Sequence, residues 1–233
     1  MLKFIQINLH RCRAAQDILY QTATEHNADV LIISEQHRNP VNTGWYADGR
    51  GDAAILILPR CKEQVKEIDQ GNGYVCCVLG NTAIYSCYYS PNKELGAYEA
   101  DLSELETSVR QRTGNILIAG DFNSKSRSWS DGPEDNRGQM LDELMSSLDL
   151  VVVNTPGRIT YEHRGAVSVL DLTFLSHSLV RKLHRWEVLD EESLSDHRYV
   201  GFELGQEAAR PSWGIQAGWA LKRIDKEVFA ECI

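Results

Sequence analysis

Short apolar runs separated by turn residues recur along this chain, and they outnumber the helical patterns. Residues 30–34 and 53–58 are continuous apolar runs, which is typical of strands buried on both faces. The apolar segments 74–79 and 82–89 flank Gly80-Asn81, which predicts a tight hairpin. This mixture of hairpins and strand–helix alternation favours two packed sheets over a doubly wound parallel sheet. We therefore predict an α+β fold, a four-layer α/β sandwich in which helices flank two mixed β-sheets.

Three segments have apolar residues at helical spacing. They predict a helix over about 13–26, a second one between Tyr98 and Val109, and a third between Leu141 and Leu148. Asp135 or Asn136 is placed to cap the third helix. Further strands are predicted over 3–9, 115–119, 151–154, 184–189 and 198–204, with a hairpin in 160–174 around Arg164-Gly165.

The regular pattern ends near residue 205. We predict one catalytic domain over 1–205, with 206–233 as a linker or the start of a following region. No run of roughly 18 apolar residues is present, so we expect no membrane contact. We expect the isolated domain to be a monomer.

The charge balance constrains the partners. Lys and Arg number 24 against 33 Asp and Glu, which gives a net charge of −9. This charge argues against a protein that only coats nucleic acid, because phosphate contacts dominate such binding. It is compatible with a nucleic-acid enzyme that has a locally basic face and gathers carboxylates at a metal site.

Single polar residues stand at the ends of several apolar strands. If these strand ends meet at one rim of the two sheets, acids and amides converge on one cleft. Asp171 lies inside an apolar run, where an unpaired buried carboxylate would cost several kcal/mol. The residues concerned are Asn8, Glu35, Tyr89, Asn92, Asp121, Asn123, Asp171, Asp196 and His197.

Converging carboxylates repel each other and need a cation. Oxygen ligands without a cysteine or histidine cluster suit Mg²⁺, or Mn²⁺ in its place, rather than zinc. Magnesium held by few carboxylates usually acts on phosphates, and a histidine beside an acid would stabilise charge on the phosphate. Taken singly, each residue also has an ordinary structural interpretation: Asn8 as a turn former, Glu35 as a solvated charge and His197 as a structural histidine. The prediction of one metal-binding cleft therefore depends on all of these residues together, in their order along the chain.

That ordered set resembles the endonuclease/exonuclease/phosphatase superfamily. The resemblance implies a DNase I-like fold. It is carried by six motifs in the family order: Gln6-Ile7-Asn8, Ser34-Glu35-Gln36, Tyr89-Ser90-Pro91-Asn92, Gly120-Asp121-Phe122-Asn123, Leu170-Asp171-Leu172-Thr173-Phe174 and Ser195-Asp196-His197.

Two further segments resemble the apurinic-type endonuclease domain of non-LTR retrotransposons. They are the stretch from Gly120 to Trp129 and Asp135-Asn136-Arg137-Gly138. This resemblance implies a divalent-metal-dependent endonuclease that nicks double-stranded DNA and leaves a 3′-hydroxyl and a 5′-phosphate. The 3′-hydroxyl would prime a reverse transcriptase region of the same polyprotein, inside the cell and in the nucleus. A superfamily phosphodiesterase acting on another phosphate ester and a non-cleaving DNA-targeting module stay open as alternatives.

The resemblance also implies roles for individual residues. Glu35 would bind the metal, with Asn8 and Asp196 nearby. Asp121 would activate the attacking water and Asn123 would position Asp121. His197, oriented by Asp171, would contact the scissile phosphate, and Tyr89 and Asn92 would contact the phosphate or the leaving oxygen.

Two peripheral segments are candidates for DNA contact. The predicted hairpin over 161–169 would enter a DNA groove with His163 and Arg164 near the backbone, although an ordinary surface hairpin is an equal alternative. Arg127 would contact phosphate and Trp129 would flank the cleft. Simple packing is the alternative for Trp129.

Overall fold

A computed structural model describes residues 1–41 and 44–206, so the predicted linker lies outside the described residues except for Gln206. The strands in the described part are β1 (Leu2–Asn8), β2 (Val30–Ser34), β3 (Trp45–Ala47), β4 (Ala53–Ile57), β5 (Val65–Gly71), β6 (Tyr74–Leu79), β7 (Thr82–Tyr88), β8 (Asn115–Asp121), β9 (Leu150–Val152), β10 (Tyr161–His163), β11 (Ala166–Ser168), β12 (Asp171–Ser176), β13 (Leu183–Val188) and β14 (Val200–Leu204). The helices are α1 (Arg13–Glu25), α2 (Leu95–Arg110), α3 (Asn136–Ser147) and α4 (His177–Val180).

Most strands belong to two mixed sheets. The first sheet has the order β13-β14-β1-β2-β4-β3, and the second has the order β5-β6-β7-β8-β12-β9. Each contains one parallel pair, β1 with β2 and β7 with β8, among antiparallel neighbours. Strands β10 and β11 form a separate two-stranded hairpin.

Three apolar clusters define the layers. On the outer face of the first sheet, Ala15, Leu19 and Ala23 of α1 belong to one cluster with sheet residues such as Ile7. Helices α2 and α3 cover the outer face of the second sheet in the same way. The third cluster lies between the sheets and includes Ile32 of the first sheet with residues of the second. The predicted four-layer sandwich is confirmed.

Two local predictions are confirmed as well. Leu79 pairs with Thr82 across the Gly80-Asn81 turn. The Asp135 carboxylate caps α3 by accepting a hydrogen bond from the Gly138 amide at 2.7 Å. Among the described residues, no helix is both long and apolar enough to cross a membrane.

The strands that the sequence did not predict lie at sheet edges. Strand β3 is short and β5 is largely exposed. With three residues, β3 is too short to show a period, and β5 is exposed and carries Lys66, Glu67 and Asp69, so it lacks the apolar pattern by which buried strands are recognised.

Buried hydrogen bonds connect the two sheets. Gln6 of β1 donates from Nε2 to the carbonyl oxygens of Gly120 and Leu172, and accepts from Thr173 Oγ1 at 3.0 Å. The Ser34 hydroxyl donates to the Cys87 carbonyl, at 3.1 Å. Because these groups are buried, each bond also avoids the cost of an unsatisfied polar atom.

We predict that Gln6→Ala lowers the free energy of unfolding by about 2–4 kcal/mol, because three buried hydrogen bonds are lost and a cavity forms. Urea denaturation followed by circular dichroism measures this change. Gln21→Ala is the matched control, since the exposed Gln21 bonds only to Glu25 within α1. Equal stability of the two variants would contradict the assigned role of Gln6.

Candidate active site

The interior of the sandwich becomes polar at one end. Alternate residues of a strand face opposite sides of a sheet, so the inward positions can be followed along each strand. In β8, Leu117 and Ala119 belong to the inter-sheet cluster, and Asp121 is the next inward position. Asp171 pairs with Asp121 across β8 and β12, and Tyr88 pairs with it across β7 and β8.

Asp121 is held by two asparagines. Its Oδ2 accepts from Asn8 Nδ2 at 2.8 Å and from Asn123 Nδ2 at 3.0 Å, and its Oδ1 accepts from the Asn123 amide at 3.0 Å. Asn8 Nδ2 also donates to Glu35 Oε2 at 3.1 Å. The structure thus brings together four residues that the sequence predicted for one site.

His197 and Asp171 form a buried pair on the other side of Asp121. His197 Nδ1 lies 2.7 Å from Asp171 Oδ2, and Nε2 lies 3.9 Å from Asp121 Oδ2. The ring of Tyr161 packs against His197, with 4.9 Å between the ring centroids. This contact and the carboxylate of Asp171 hold the imidazole with Nε2 towards Asp121.

Burial and neighbouring charge shift two pKa values in the site. Burial raises the pKa of Asp121 above its ordinary value, although the positive charge of His197 opposes this shift. Burial lowers the pKa of His197, but the charge and hydrogen bond of Asp171, with the charges of Asp121 and Glu35, raise it to about 9. The raised pKa favours the imidazolium form of His197, which would suit stabilisation of a phosphate oxyanion.

The acids surround a cleft with a volume of about 620 Å³. Its lining combines acidic, basic and amide side chains, which suits an anionic substrate that also meets a cation. The charged, amide and aromatic side chains along it are His10, Glu35, Tyr88, Asn92, Asp121, Asn123, Lys125, Asp135, Arg137, Tyr161 and His197.

The carboxylates of the cleft fit a divalent metal. Glu35 and Asp121 present carboxylate oxygens, the ligands that Mg²⁺ prefers. In residues 1–41 and 44–206, no three His, Cys, Asp or Glu side chains are arranged to hold a metal by themselves. Magnesium usually retains waters and takes phosphate oxygens from its substrate, so a site with few protein ligands fits this ion.

Two of the predicted metal ligands have other contacts. The amide oxygen of Asn8 accepts from the His10 backbone N–H at 2.8 Å, and its nitrogen faces the acids, so Asn8 holds the carboxylates in place. Asp196 Oδ2 lies 2.8 Å from His163 Nδ1 and 3.2 Å from His10 Nδ1, on the rim of the cleft. Roles for Asn8 and Asp196 at the metal stay predictions.

The prediction of Tyr89 as a residue that contacts the phosphate is wrong. Tyr89 is fully buried on the outer side of the second sheet, with its ring centroid 5.5 Å from that of Tyr98. Tyr88 lines the cleft instead, and burial and the charge of Glu35 raise its pKa, so its hydroxyl stays protonated. The strand alternation that places Tyr88 on the same face as Asp121 was a usable signal in the sequence.

The other candidate DNA contacts fall into two groups. Asn92 lines the cleft, and Arg127, His163 and Arg164 are exposed. Trp129 is 5% exposed, packs edge-on against Phe174 and donates from Nε1 to the Ser124 carbonyl, so its predicted contact with DNA is wrong and the packing alternative holds.

Several residues of the site have left-handed backbone conformations. The φ angles are +47° at His10, +53° at Arg11, +47° at Glu35 and +46° at Asn123. Such conformations are uncommon outside glycine and cluster where function constrains the backbone. No sequence pattern indicated this concentration.

We predict a pH dependence of stability from the raised pKa of His197. The stabilisation from its ion pair is fully present below the unfolded-state pKa of about 6.5 and is lost as pH rises through about 9. As the pH rises from about 6.5 to about 9 in the presence of EDTA, the free energy of unfolding of the wild type should fall more than that of His197→Gln. The variant His184→Gln, at an exposed position, should follow the wild type. Parallel curves for wild type and His197→Gln would contradict the ion pair.

Solved structures of other proteins share this architecture. The endonuclease domain of TRAS1, a telomere-specific non-LTR retrotransposon, matches with a TM-score of 0.75 at 23% identity, over 89% of this chain and 99% of that domain. The 3′ phosphatase NExo from Neisseria bound to product DNA hairpin matches with a TM-score of 0.70 at 16% identity, over 88% and 100%. These matches show the DNase I-like fold.

Sequence comparison identifies relatives. A probable RNA-directed DNA polymerase from transposon X-element of Drosophila melanogaster is 25% identical over 167 residues, which are 63% of this chain and 18% of that protein. The chain therefore aligns with under a fifth of this relative's length. The model of the family described as endonuclease-reverse transcriptase matches residues 82–201, just over half of the chain, including Asp121, Asp171 and His197. The chain belongs to the endonuclease-reverse transcriptase family.

Proposed function

We propose that this domain is a divalent-metal-dependent endonuclease that nicks one strand of a double-stranded DNA target and leaves a 3′-hydroxyl. The observation that carries the proposal is the position of Asp121, between the Asn8–Glu35 pair and the His197–Asp171 pair, in one cleft. This arrangement supplies a carboxylate for a water nucleophile and a cation for a phosphate oxygen, which are the two needs of phosphodiester hydrolysis.

In the proposed reaction, Asp121 orients the attacking water and accepts its proton. The raised pKa of Asp121 brings its basicity closer to neutral pH, which suits a general base. The bonds from Asn8 and Asn123 fix the direction of the carboxylate. The water oxygen bonds to phosphorus as the bond to O3′ breaks, and O3′ takes a proton to become the 3′-hydroxyl.

His197 donates from Nε2 to a non-bridging phosphate oxygen. Asp171 bonds to Nδ1, so the donating nitrogen is fixed and the imidazolium is stabilised. Glu35, with Asp121 beside it, would hold a Mg²⁺ or Mn²⁺ ion. When bound, that ion supplies charge neutralisation at the phosphate.

We also propose that the β10–β11 hairpin, with His163 and Arg164 at its tip, contacts the DNA backbone. Backbone hydrogen bonds join the hairpin to the segment that carries His197. The Glu162 amide donates to the Asp196 carbonyl, and the Arg198 amide donates to the Thr160 carbonyl. Asn92 lines the cleft, and the exposed Arg127 is placed on the loop that follows Asp121. These residues are the proposed DNA contacts.

The relatives suggest the wider context. The curated relative is a polymerase much longer than this chain, and the TRAS1 structure is an endonuclease domain of a non-LTR retrotransposon. We propose that the nick primes reverse transcription by a polymerase region of the same polypeptide, on DNA in the nucleus. In this proposal the domain cuts as a monomer.

We predict that the wild type converts supercoiled plasmid to the nicked circle with Mg²⁺ or Mn²⁺ but not in EDTA. Asp121→Asn and His197→Gln should each lower the rate about 10²- to 10⁴-fold, because each loses a group that acts in the transition state. Gel electrophoresis of the plasmid measures the rate. The exposed Asp17→Asn is the control.

Two results would contradict this proposal. One is turnover of a small phosphodiester without nicking, which would favour another phosphodiesterase of the superfamily. The other is metal-dependent DNA binding without any cleavage, which would favour a targeting module.

We predict that Arg164→Ala weakens DNA binding. The slope of the logarithm of the binding constant against the logarithm of the salt concentration should become less steep by about 1, because one phosphate contact is lost. The measurement is fluorescence anisotropy with a labelled duplex, in the Asp121→Asn background to prevent cleavage. Arg13→Ala is the matched control, since Arg13 lies on α1 and pairs with Asp17. An unchanged slope would exclude Arg164 as a backbone contact.

A further inference from the structure

The first turn of α3 contacts two loops of the cleft. The first of them joins β7 to α2. Arg137 donates from Nη1 to the Ser90 carbonyl at 2.9 Å and from Nη2 to the Lys93 carbonyl. Its guanidinium carbon also lies 4.7 Å from the centroid of the Tyr98 ring. Arg137 thus spans the loop that carries the cleft residue Asn92.

The second loop follows Asp121 and Asn123 in the chain. The Lys125 amide donates to Asp135 Oδ1 at 3.2 Å, and the Asp135 amide donates back to the Lys125 carbonyl at 2.9 Å. The same Oδ1 caps the helix at the Gly138 amide. A Cβ atom at Gly138 would lie 1.8 Å from the Lys125 carbonyl oxygen, so only glycine permits this approach.

Helix α3 is itself firmly fixed. Leu141 and Met145 are buried in the apolar cluster on the outer face of the second sheet. Asp142, one turn further along, accepts hydrogen bonds from the hydroxyls of Ser126 and Ser128. A rigid helix that bonds to two loops can hold them at a constant separation.

We propose that the first turn of α3 positions the Ser90–Lys93 and Asn123–Lys125 loops relative to each other, and that Arg137 is the positioning residue for the first of them. This inference rests on the proposed nuclease function and assigns positioning residues to the same site. Arg137 acts through the backbone of the Ser90–Lys93 loop, and thereby sets where Asn92 stands in the cleft. The planar guanidinium suits two carbonyls at once, whereas a lysine ammonium is a single compact charge.

A competing role for Arg137 is direct binding of DNA phosphate, because it also lines the cleft. The two roles differ in what they change. Loss of a phosphate contact weakens DNA affinity and reduces its salt dependence by about one unit of slope. Loss of positioning lowers kcat, since a displacement of about 1 Å at a reacting group can cost roughly 10²-fold.

The experiment compares Arg137→Gln and Arg137→Lys with the wild type in plasmid nicking with Mg²⁺, with thermal melting to verify folding. We expect Arg137→Gln to lower kcat 10- to 100-fold with KM and the salt slope of DNA binding unchanged, and Arg137→Lys to restore kcat only partly. Arg110→Gln is the matched control, because Arg110 joins α2 to the far end of α3 through Ser147. A reduced salt slope with unchanged kcat, or equal kcat in Arg137→Gln and Arg110→Gln, would overturn the proposal.

Amide hydrogen exchange tests the coupling without catalysis. Gly138→Ala displaces the Lys125 loop directly, and we expect it also to speed exchange at the Lys93 amide, which bonds to the Ser90 carbonyl. Arg137→Gln should in turn speed exchange at the Lys125 amide. Changes confined to the loop nearest each substitution would overturn the coupling. A wild type that does not nick DNA would contradict the proposed function, and the exchange result would still decide whether the loops are coupled.

Discussion

The site depends on the buried hydrogen bonds between the two sheets. Apolar burial between the sheets is non-directional, whereas directional bonds such as those of Gln6 to Gly120 and Leu172 specify the relative position of the sheets. Asn8 reaches Asp121 from the opposite sheet because this spacing is fixed, so the strand ends become one site.

The same burial makes the site electrostatically demanding. Asp121 lies close to Glu35 and Asp171, and desolvation disfavours the charged form of Asp121. Amide donors and the His197 imidazolium offset part of this cost, and a divalent cation beside Glu35 and Asp121 would offset more. A metal that binds only the folded state stabilises that state by mass action. The chemistry of the proposed reaction and the stability of the fold therefore depend on the same cluster.

The sequence predicted the parts of the fold and site that follow from strand pattern. Asn8 and Asp121 were recoverable because each ends an apolar strand, and His197 because it precedes one; buried polar residues at such positions are selected against unless they have partners. Strand alternation, applied strictly, would also have selected Tyr88 in place of Tyr89. What the sequence could not predict lies outside strand periodicity: the exposed edge strands, the left-handed residues and the contacts of loops with α3.

The net charge of −9 does not describe the charges that a substrate in the cleft would meet. Lys125 and Arg137 line the cleft together with Glu35, Asp121 and Asp135, and the acidic run 190–192 lines a second depression, to which Arg164 and His197 also belong. A DNA backbone responds to the charges within about a Debye length, roughly 8–10 Å, and not to the total. Lys125, Arg137 and a bound divalent cation would therefore offset the acids of the cleft beside a DNA backbone. Its total charge would oppose nonspecific coating, so stable residence on a target would require contacts from a longer polypeptide, as the size of the curated relative suggests.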